Sequence, residues 1–201
     1  MLVMGILNAT PDSFADGGEH FTYPDAVDHG LKLIVEGADI IDVGGESTRP
    51  GAERVSAAEE ERRVINVISK LVDAGKPISI DTMRASTARA AVIAGASIIN
   101  DVSGGLADAA MLDTAAELKV PYIAMHWRGH SKEMNNLAVY TNVVEEVITE
   151  LNLRIEAALS AGVSKSNLII DPGIGFAKEA ADNWLIIEEI ERFVALGYPV
   201  L

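Results

Sequence analysis

The chain has 201 residues, of which 49% are hydrophobic and 23% are charged, and these proportions exclude a largely disordered protein. Its 30 acidic and 16 basic side chains leave a net charge of −14, which argues against a general binder of anionic nucleic acid. The absence of cysteine excludes disulfides, thiolate catalysis and cysteine-ligated zinc. The sequence has neither a signal-peptide pattern nor a long apolar stretch, so we expect one cytoplasmic domain over residues 1–201.

Short apolar runs recur along the chain, and five of the seven follow a helical stretch that ends at a glycine. Because the runs lack strict alternation, they predict strands buried on both faces of a parallel sheet. In chain order the predicted strands cover residues 3–7, 40–41, 78–80, 98–99, 122–125, 168–170 and 198–201. The predicted helices cover residues 24–36, 56–72, 86–94, 109–118, 143–161 and 181–196. Ser56 and Glu59 have the spacing of a capping box at the start of the second helix.

The steady alternation of one strand with one helix predicts the α/β class with a parallel sheet. No glycine-rich dinucleotide-binding pattern follows the first strand, where Asn8-Ala9-Thr10-Pro11 stands instead, so a (β/α)8 barrel is favoured over a doubly wound sheet. Such a barrel takes about 250 residues. We therefore expect a barrel truncated at about its seventh strand.

Every predicted strand before the last ends in a polar residue, and these residues are Asn8, Asp42, Asp81, Asn100, His126 and Asp171. The carboxyl ends of parallel strands converge at one edge, where barrel enzymes hold their active sites. A competing interpretation is that Asp and Asn merely favour turns and helix N-termini. Together the carboxylates and amides would form an acceptor array suited to a flat, donor-rich ring, and Asn8 would add an oxygen ligand for Mg²⁺.

Two loops rich in glycine, proline and hydroxyl groups follow the first two strands, over residues 8–18 and 44–52. Arg49 in the second loop suits an anion, although a surface ion pair is the alternative, and Phe14 in the first could cover a ring. The glycines after Asp171 allow a ligand to approach the backbone closely. For Asp42, Glu46, His126 and Arg128, catalytic, supporting and structural roles all remain open.

Six motifs follow one another along the chain, and together they resemble the bacterial dihydropteroate synthases over residues 3–201. They read ILNATPDSFADGG, GGESTRPGA, SIDTMR, INDVSGG, MHWR and DPGIGFAK. The resemblance implies a (β/α)8 barrel and a transferase of folate biosynthesis. Such an enzyme condenses 4-aminobenzoate with dihydropterin pyrophosphate to give dihydropteroate and pyrophosphate, and sulfonamides mimic its aminobenzoate.

The resemblance also implies which residues hold the pterin and the metal. The pterin-binding residues are then Asp81, Asn100, Val102, Met125 and Asp171, of which Val102 and Met125 line the ring. Asn8 would bind Mg²⁺ together with the pyrophosphate. In the turn after Asp171, Gly175 would bind substrate and Phe176 would help to form the aminobenzoate pocket.

The two loops supply the remaining implied roles. Thr48 and Arg49 would contact the leaving pyrophosphate, Pro50 would pack on the aminobenzoate, and Phe14 would complete that pocket. Asp16 would help to stabilise the reacting centre, so Asp16 and Arg49 are the candidate catalytic residues. The implied reaction is dissociative: the C–O bond to pyrophosphate breaks first, and the arylamine then attacks a pterin-stabilised cation.

Members of the family continue past the seventh strand with a Ser-Arg-Lys motif and an Arg-x-His motif, neither of which is in these 201 residues. We therefore expect the chain on its own to be poorly folded or inactive, and the complete protein to be an enzyme and a homodimer. One alternative is a pterin-binding domain of a methyltetrahydrofolate:corrinoid methyltransferase, against which residues 44–52 argue. The other is a non-catalytic homologue of the synthase that only binds its ligands.

Overall fold

The computed structural model describes residues 1–10, 23–46, 54–130 and 132–201, apart from the side chains of Tyr23 and Asn135. The strands in this part of the chain are β1 (Met4–Asn8), β2 (Ile40–Gly44), β3 (Ile78–Asp81), β4 (Ile98–Asp101), β5 (Tyr122–Met125) and β6 (Leu168–Asp171). The α-helices are α1 (Tyr23–Val35), α2 (Ala57–Leu71), α3 (Ala85–Ile93), α4 (Met111–Leu118), α5 (Val143–Ser160), α6 (Ala180–Glu188) and α7 (Ile190–Val194). Strands alternate with helices from β1 to β6, which is the α/β pattern predicted from the sequence.

The chain divides into two compact units, and the first comprises the described residues up to Asn100. In it β1, β2, β3 and β4 pair in chain order, and every pair is parallel. Leu7, Ile41 and Ile80 are buried, as expected for strands covered on the outer face by helices. Helix α2 contacts β2 and contributes Val67 and Ile68 to this core. The first unit therefore brings the carboxyl ends of four strands to one edge.

The second unit begins at Asp101 and includes the parallel pair β5–β6. Beside β6, Val200 forms an isolated parallel bridge with Ile170. The Ile170 N–H donates to the carbonyl of Pro199 at 3.0 Å, and the Leu201 N–H donates to the carbonyl of Ile170 at 2.9 Å. The strand predicted over residues 198–201 is thus present as one bridge next to β6.

The single helix predicted over residues 181–196 is wrong in one respect, because the chain leaves the helical conformation at Glu189 (φ −101°, ψ 25°). Two helices result, and each buries one large side chain, Ile186 from α6 and Phe193 from α7. Both side chains join a cluster built on α5, which includes Val147 and Leu151. Neither glycine nor proline marks the break in the sequence. The break instead coincides with the packing of both helices against α5.

The helix ends follow the local sequence signals. The Ser56 side chain accepts a hydrogen bond from the Glu59 N–H at 3.2 Å, so α2 has the predicted N-cap. Gly37 (φ 110°) and Gly95 (φ 114°) have the left-handed backbone predicted after α1 and α3. No helix in the described ranges combines the length and the apolar character that crossing a bilayer requires. The single-domain assignment over residues 1–201 stays a prediction.

Candidate active site

Four strand ends of the first unit share one level and one face. Residues directly opposite in parallel strands point to the same side of a sheet. The register places Asn8 opposite Gly44, Gly44 opposite Asp81, and Asp81 opposite Asn100. Three predicted site residues therefore line one row, and the fourth position has no side chain. A Cβ atom on Gly44 would lie 3.2 Å from Asp81 Oδ2, so glycine keeps the space beside that carboxylate open.

Asp42 lies one level below this row and fixes the orientation of Asn100. The Asn100 Nδ2 donates to Asp42 Oδ2 at 3.0 Å, and both side chains are buried. Asp42 Oδ1 and Asn100 Oδ1 have no hydrogen-bond partner among the described residues. Burial raises the pKa of Asp42 against the lowering effects of Ser79 and Asn100. In this structure Asp42 therefore binds the Asn100 side chain, and Asn100 Oδ1 is an acceptor without a partner among the described residues.

In the second unit, Met125 and Asp171 are register partners at the ends of β5 and β6. Met125 is buried, Asp171 is half-buried, and Val102 is buried in the segment after β4. Asp171 Oδ1 accepts a hydrogen bond from the Gly173 N–H at 2.7 Å, which ties the carboxylate to the following turn. Met125 and Asp171 therefore end their strands, and Val102 directly follows β4.

The glycine-rich turn after Asp171 has an unusual backbone. Gly173 (φ 70°) and Gly175 (φ 84°) both adopt the left-handed conformation that side chains disfavour. Gly175 is exposed, and its N–H donates to Asn183 Oδ1 at 2.8 Å. No heavy atom lies within 4 Å of a Cβ placed on Gly175, so backbone conformation rather than packing favours glycine there. Phe176 follows and is half-buried.

A buried polar cluster lies next to this turn and includes two residues whose roles the sequence left open. His126 is 1% exposed; its Nε2 lies 2.9 Å from Glu150 Oε2, and its Nδ1 lies 3.0 Å from Lys178 Nζ. Burial lowers the pKa of His126, against the raising effect of the hydrogen bond to Glu150. Arg128 pairs with Glu146 and Glu150. In this structure, His126 and Arg128 therefore bind other side chains of the protein.

Glu46, the other residue left open, forms ion pairs. Its carboxylate accepts the Val55 N–H at 2.9 Å and the Arg54 Nε–H at 3.3 Å, and it also pairs with Arg84. Arg84 further donates to the carbonyl of Val55 at 2.6 Å and pairs with buried Glu60. Glu46 therefore fixes the start of α2 relative to β2 and has a structural role.

Five predicted residues lie outside the described residues, and these are Phe14, Asp16, Thr48, Arg49 and Pro50. Their roles stay predictions. In the described part of the chain, no group of three or more His, Asp or Glu side chains could hold a metal ion. Asn8 offers one half-buried amide group at the end of β1. One protein oxygen suits Mg²⁺ that takes its other ligands from water and a substrate phosphate, so the residues present fit such an ion.

Comparison with known proteins identifies the family. The family model described as "Pterin binding enzyme" matches residues 4–201. The dihydropteroate synthase of Mycobacterium leprae is 48% identical over 200 residues, which are 99% of this chain and 70% of that protein. The chain belongs to the dihydropteroate synthase family. Two solved structures give the same result.

The dihydropteroate synthase of Xanthomonas albilineans with 4-aminobenzoic acid matches with a TM-score of 0.92 and 50% identity, over 99% of this chain and 71% of that one. The Yersinia pestis enzyme in complex with a sulfonamide drug matches with a TM-score of 0.92 and 36% identity, over 99% and 72% of the two chains. The predicted family, the α/β barrel fold and the transferase activity in folate biosynthesis are thereby confirmed. The matches favour this activity over both alternatives, the corrinoid methyltransferase domain and the non-catalytic homologue.

Proposed function

We propose that this chain binds dihydropterin pyrophosphate through Asp81, Asn100 and Asp171 and condenses it with 4-aminobenzoate. The observation that carries the proposal is the row in which Asn8, Asp81 and Asn100 are register partners on one face. The unpartnered Asn100 Oδ1 at that row supports it, because a buried acceptor needs a donor. A pterin has an amino group and ring N–H groups that supply such donors.

Carboxylates suit the donor edge of a pterin for two reasons. A carboxylate accepts two parallel hydrogen bonds from adjacent N–H groups, which orients the ring as well as binding it. A site built to pair with such donors rejects rings that lack them, since its own polar groups would be left unpaired. In this proposal Asp81 and Asp171 accept from the pterin, while Met125 and Val102 pack on its ring.

The same carboxylates favour the proposed dissociative reaction. The C–O bond to pyrophosphate breaks and its electron pair leaves with the pyrophosphate, so positive charge develops on the pterin. Asp81 and Asp171 stabilise that charge in the transition state, and Asp16 assists them. The amine of 4-aminobenzoate then forms the C–N bond and releases a proton. Thr48 and Arg49 bind the leaving pyrophosphate, and Phe14, Pro50 and Phe176 form the aminobenzoate pocket.

The remaining parts of the proposal concern the metal and the state of the protein. Asn8 holds Mg²⁺, which neutralises charge on the leaving pyrophosphate when bound. Gly175 allows the substrate to approach the backbone. The protein acts in the cytoplasm and forms a homodimer, as the resemblance implies.

The site is tested by replacing Asp81 with asparagine. Asp81→Asn keeps the size of the side chain but exchanges one acceptor oxygen for a donor that faces the donors of the pterin. We expect the affinity for dihydropterin pyrophosphate, measured by isothermal titration calorimetry with Mg²⁺ present, to fall by about tenfold or more, the value of a hydrogen bond to a charged group.

The matched control is Asp73→Asn, which makes the same chemical change at an exposed residue of the first unit. Its affinity for the ligand should equal that of the unmodified protein. Equal affinities for all three proteins would contradict the assignment of Asp81. No binding by any of them, when each change is made in the complete protein with its C-terminal motifs, would contradict the proposed pterin site as a whole.

A further inference from the structure

Lys178 is a buried lysine with a complete set of partners. It is 9% exposed, and its ammonium group has three neighbours at hydrogen-bond distance. Nζ donates to the carbonyl of Gly173 at 2.9 Å and to the carbonyl of Phe176 at 2.9 Å, and it lies 3.0 Å from His126 Nδ1. An ammonium group has three hydrogens, so these acceptors use all of them.

The partners of Lys178 define the protonation of His126. With the Lys178 ammonium as donor, His126 Nδ1 is the acceptor, and the proton of the neutral imidazole then lies on Nε2. The Nε2–H then donates to Glu150 Oε2 at 2.9 Å. Burial lowers the pKa of Lys178 to about 8, and Asp171 opposes this effect. The amine is therefore mainly charged near neutral pH and can supply three hydrogens.

The two carbonyls bound by Lys178 belong to the glycine-rich turn at the candidate site. A Cβ atom on Gly173 would lie 2.7 Å from the carbonyl oxygen of His126 and 3.2 Å from Met125 Cγ, so the turn packs directly against the end of β5. The Phe176 N–H donates to the same Gly173 carbonyl at 3.1 Å. Further along, the Tyr140 hydroxyl donates to the carbonyl of Ala177 at 2.9 Å. The turn is thus bound by the side chains of Lys178 and Tyr140.

We propose that Lys178 is a positioning residue for pterin binding, because its ammonium group ties the turn from Gly173 to Phe176 onto His126 at the end of β5. The tie fixes Gly173, whose N–H binds the Asp171 carboxylate at 2.7 Å, and so sets the direction of that carboxylate. The inference rests on the proposed function, in which Asp171 binds the pterin. Lys178 acts through its neighbours and does not itself contact the substrate.

The test uses Lys178→Met, which keeps most of the volume and removes all three hydrogen bonds. We expect its affinity for dihydropterin pyrophosphate, measured by calorimetry, to fall by about tenfold or more, because small errors in the placement of site residues have effects of that order. The His126 Nδ1 nitrogen signal, assigned with His126→Gln and ¹⁵N-labelled histidine, should shift while Nε2 keeps its proton. Amide exchange at Gly173 and Phe176 should become faster.

The matched control is Lys70→Met, which removes an exposed charge from α2 and should change neither the affinity nor the His126 signals. Unchanged affinity in Lys178→Met would overturn the proposal even if the His126 signal shifted. If Lys178→Met does not fold, Lys178→Gln, which keeps one donor group, takes its place. Failure of both variants to fold would also overturn it, because the role would then lie in folding.

The outcome separates this inference from the proposed function. If the unmodified protein binds dihydropterin pyrophosphate and Lys178→Met binds it equally well, only the role of Lys178 is wrong. If the unmodified complete protein, with its C-terminal motifs, does not bind the ligand, the proposed pterin site fails, and the role of Lys178 in pterin binding fails with it.

Discussion

Glu150 on α5 joins a buried imidazole to a guanidinium. Its Oε2 lies 2.9 Å from His126 Nε2, and Arg128 donates to its Oε1 at 2.5 Å. Burial on its own raises the pKa of Glu150, but the hydrogen bonds from His126 and Arg128 outweigh it and lower the pKa to about 2. Because the unfolded carboxyl has an ordinary, higher pKa, Glu150 contributes its full stabilisation only at pH values where it is ionised in both states.

The pH dependence of stability follows from that shift. Between the unfolded pKa and about 2, the unfolded chain binds more protons at Glu150 than the folded chain does, so the stabilisation decreases as the pH falls. We expect the difference in unfolding free energy between the protein and Glu150→Gln, measured by urea denaturation, to be constant near neutral pH. The difference should shrink as the pH is lowered below about 4.

Glu156→Gln, an exposed change on the same helix, is the control and should show no such trend. A difference for Glu150→Gln that stays constant down to the lowest pH at which the protein folds would contradict the expectation. The carboxylate would then be held no more strongly in the folded protein than in the unfolded chain.

For individual residues, the sequence predicts which side chains lie at strand ends, but it does not predict which other side chains hold them in position. Asn8, Asp81 and Asn100 follow apolar runs, so parallel pairing alone places them in one row. Lys178 contacts His126, which is 52 residues away in the sequence, and no local sequence pattern predicts that contact. A lysine after a glycine-rich turn is ordinarily expected in solvent, and its burial follows only from the path of the turn.

Among the elements, α6 and α7 have a boundary that local sequence signals did not predict. The predicted start of α2 was accurate, because Ser56 caps that helix as the sequence indicates. The break at Glu189 has no such mark, and it accompanies the burial of both Ile186 and Phe193 in the cluster on α5. The helix propensity of these residues did not fix the position of the break, whereas packing between helices accounts for it.

Phe193 and Val194 are adjacent in α7 and offer a direct comparison. Phe193 is 0% exposed and belongs to the cluster on α5, whereas Val194 is 56% exposed. We expect Phe193→Ala to lower the free energy of unfolding by about 3–5 kcal/mol through lost burial and a residual cavity. Val194→Ala should change it by about 0.5 kcal/mol or less. Urea denaturation followed by circular dichroism measures both, and equal effects would contradict the packing described here.

The whole molecule has a net charge of −14, which sets how it responds to salt. Ion pairs such as Arg192–Glu145 are exposed and contribute little, so repulsion among excess carboxylates is the larger long-range effect. The order of strands and helices, the parallel pairing and the family were all predictable at this scale, because each depends on repeated local signals. The division into two compact units was not, since it depends on contacts that the repeat does not encode.

We expect added salt to stabilise the protein. Raising NaCl from about 0.01 M to about 0.15 M shortens the Debye length from about 30 Å to about 8 Å and screens the repulsion. The urea midpoint should therefore rise over this range, as measured by circular dichroism at neutral pH. A control titration with sucrose at matched osmolality separates screening from solvent exclusion. A midpoint that falls in salt would mean that attractive ion pairs outweigh the excess negative charge.

Gly44 is in the same row as Asn8, Asp81 and Asn100, yet it contributes no side-chain atom. Because Gly44 has no Cβ atom, the space next to Asp81 Oδ2 stays open. Natural selection at this position would therefore act on an empty volume rather than on a chemical group. A residue with a side chain at this position would crowd the Asp81 carboxylate without removing any hydrogen bond made by Gly44.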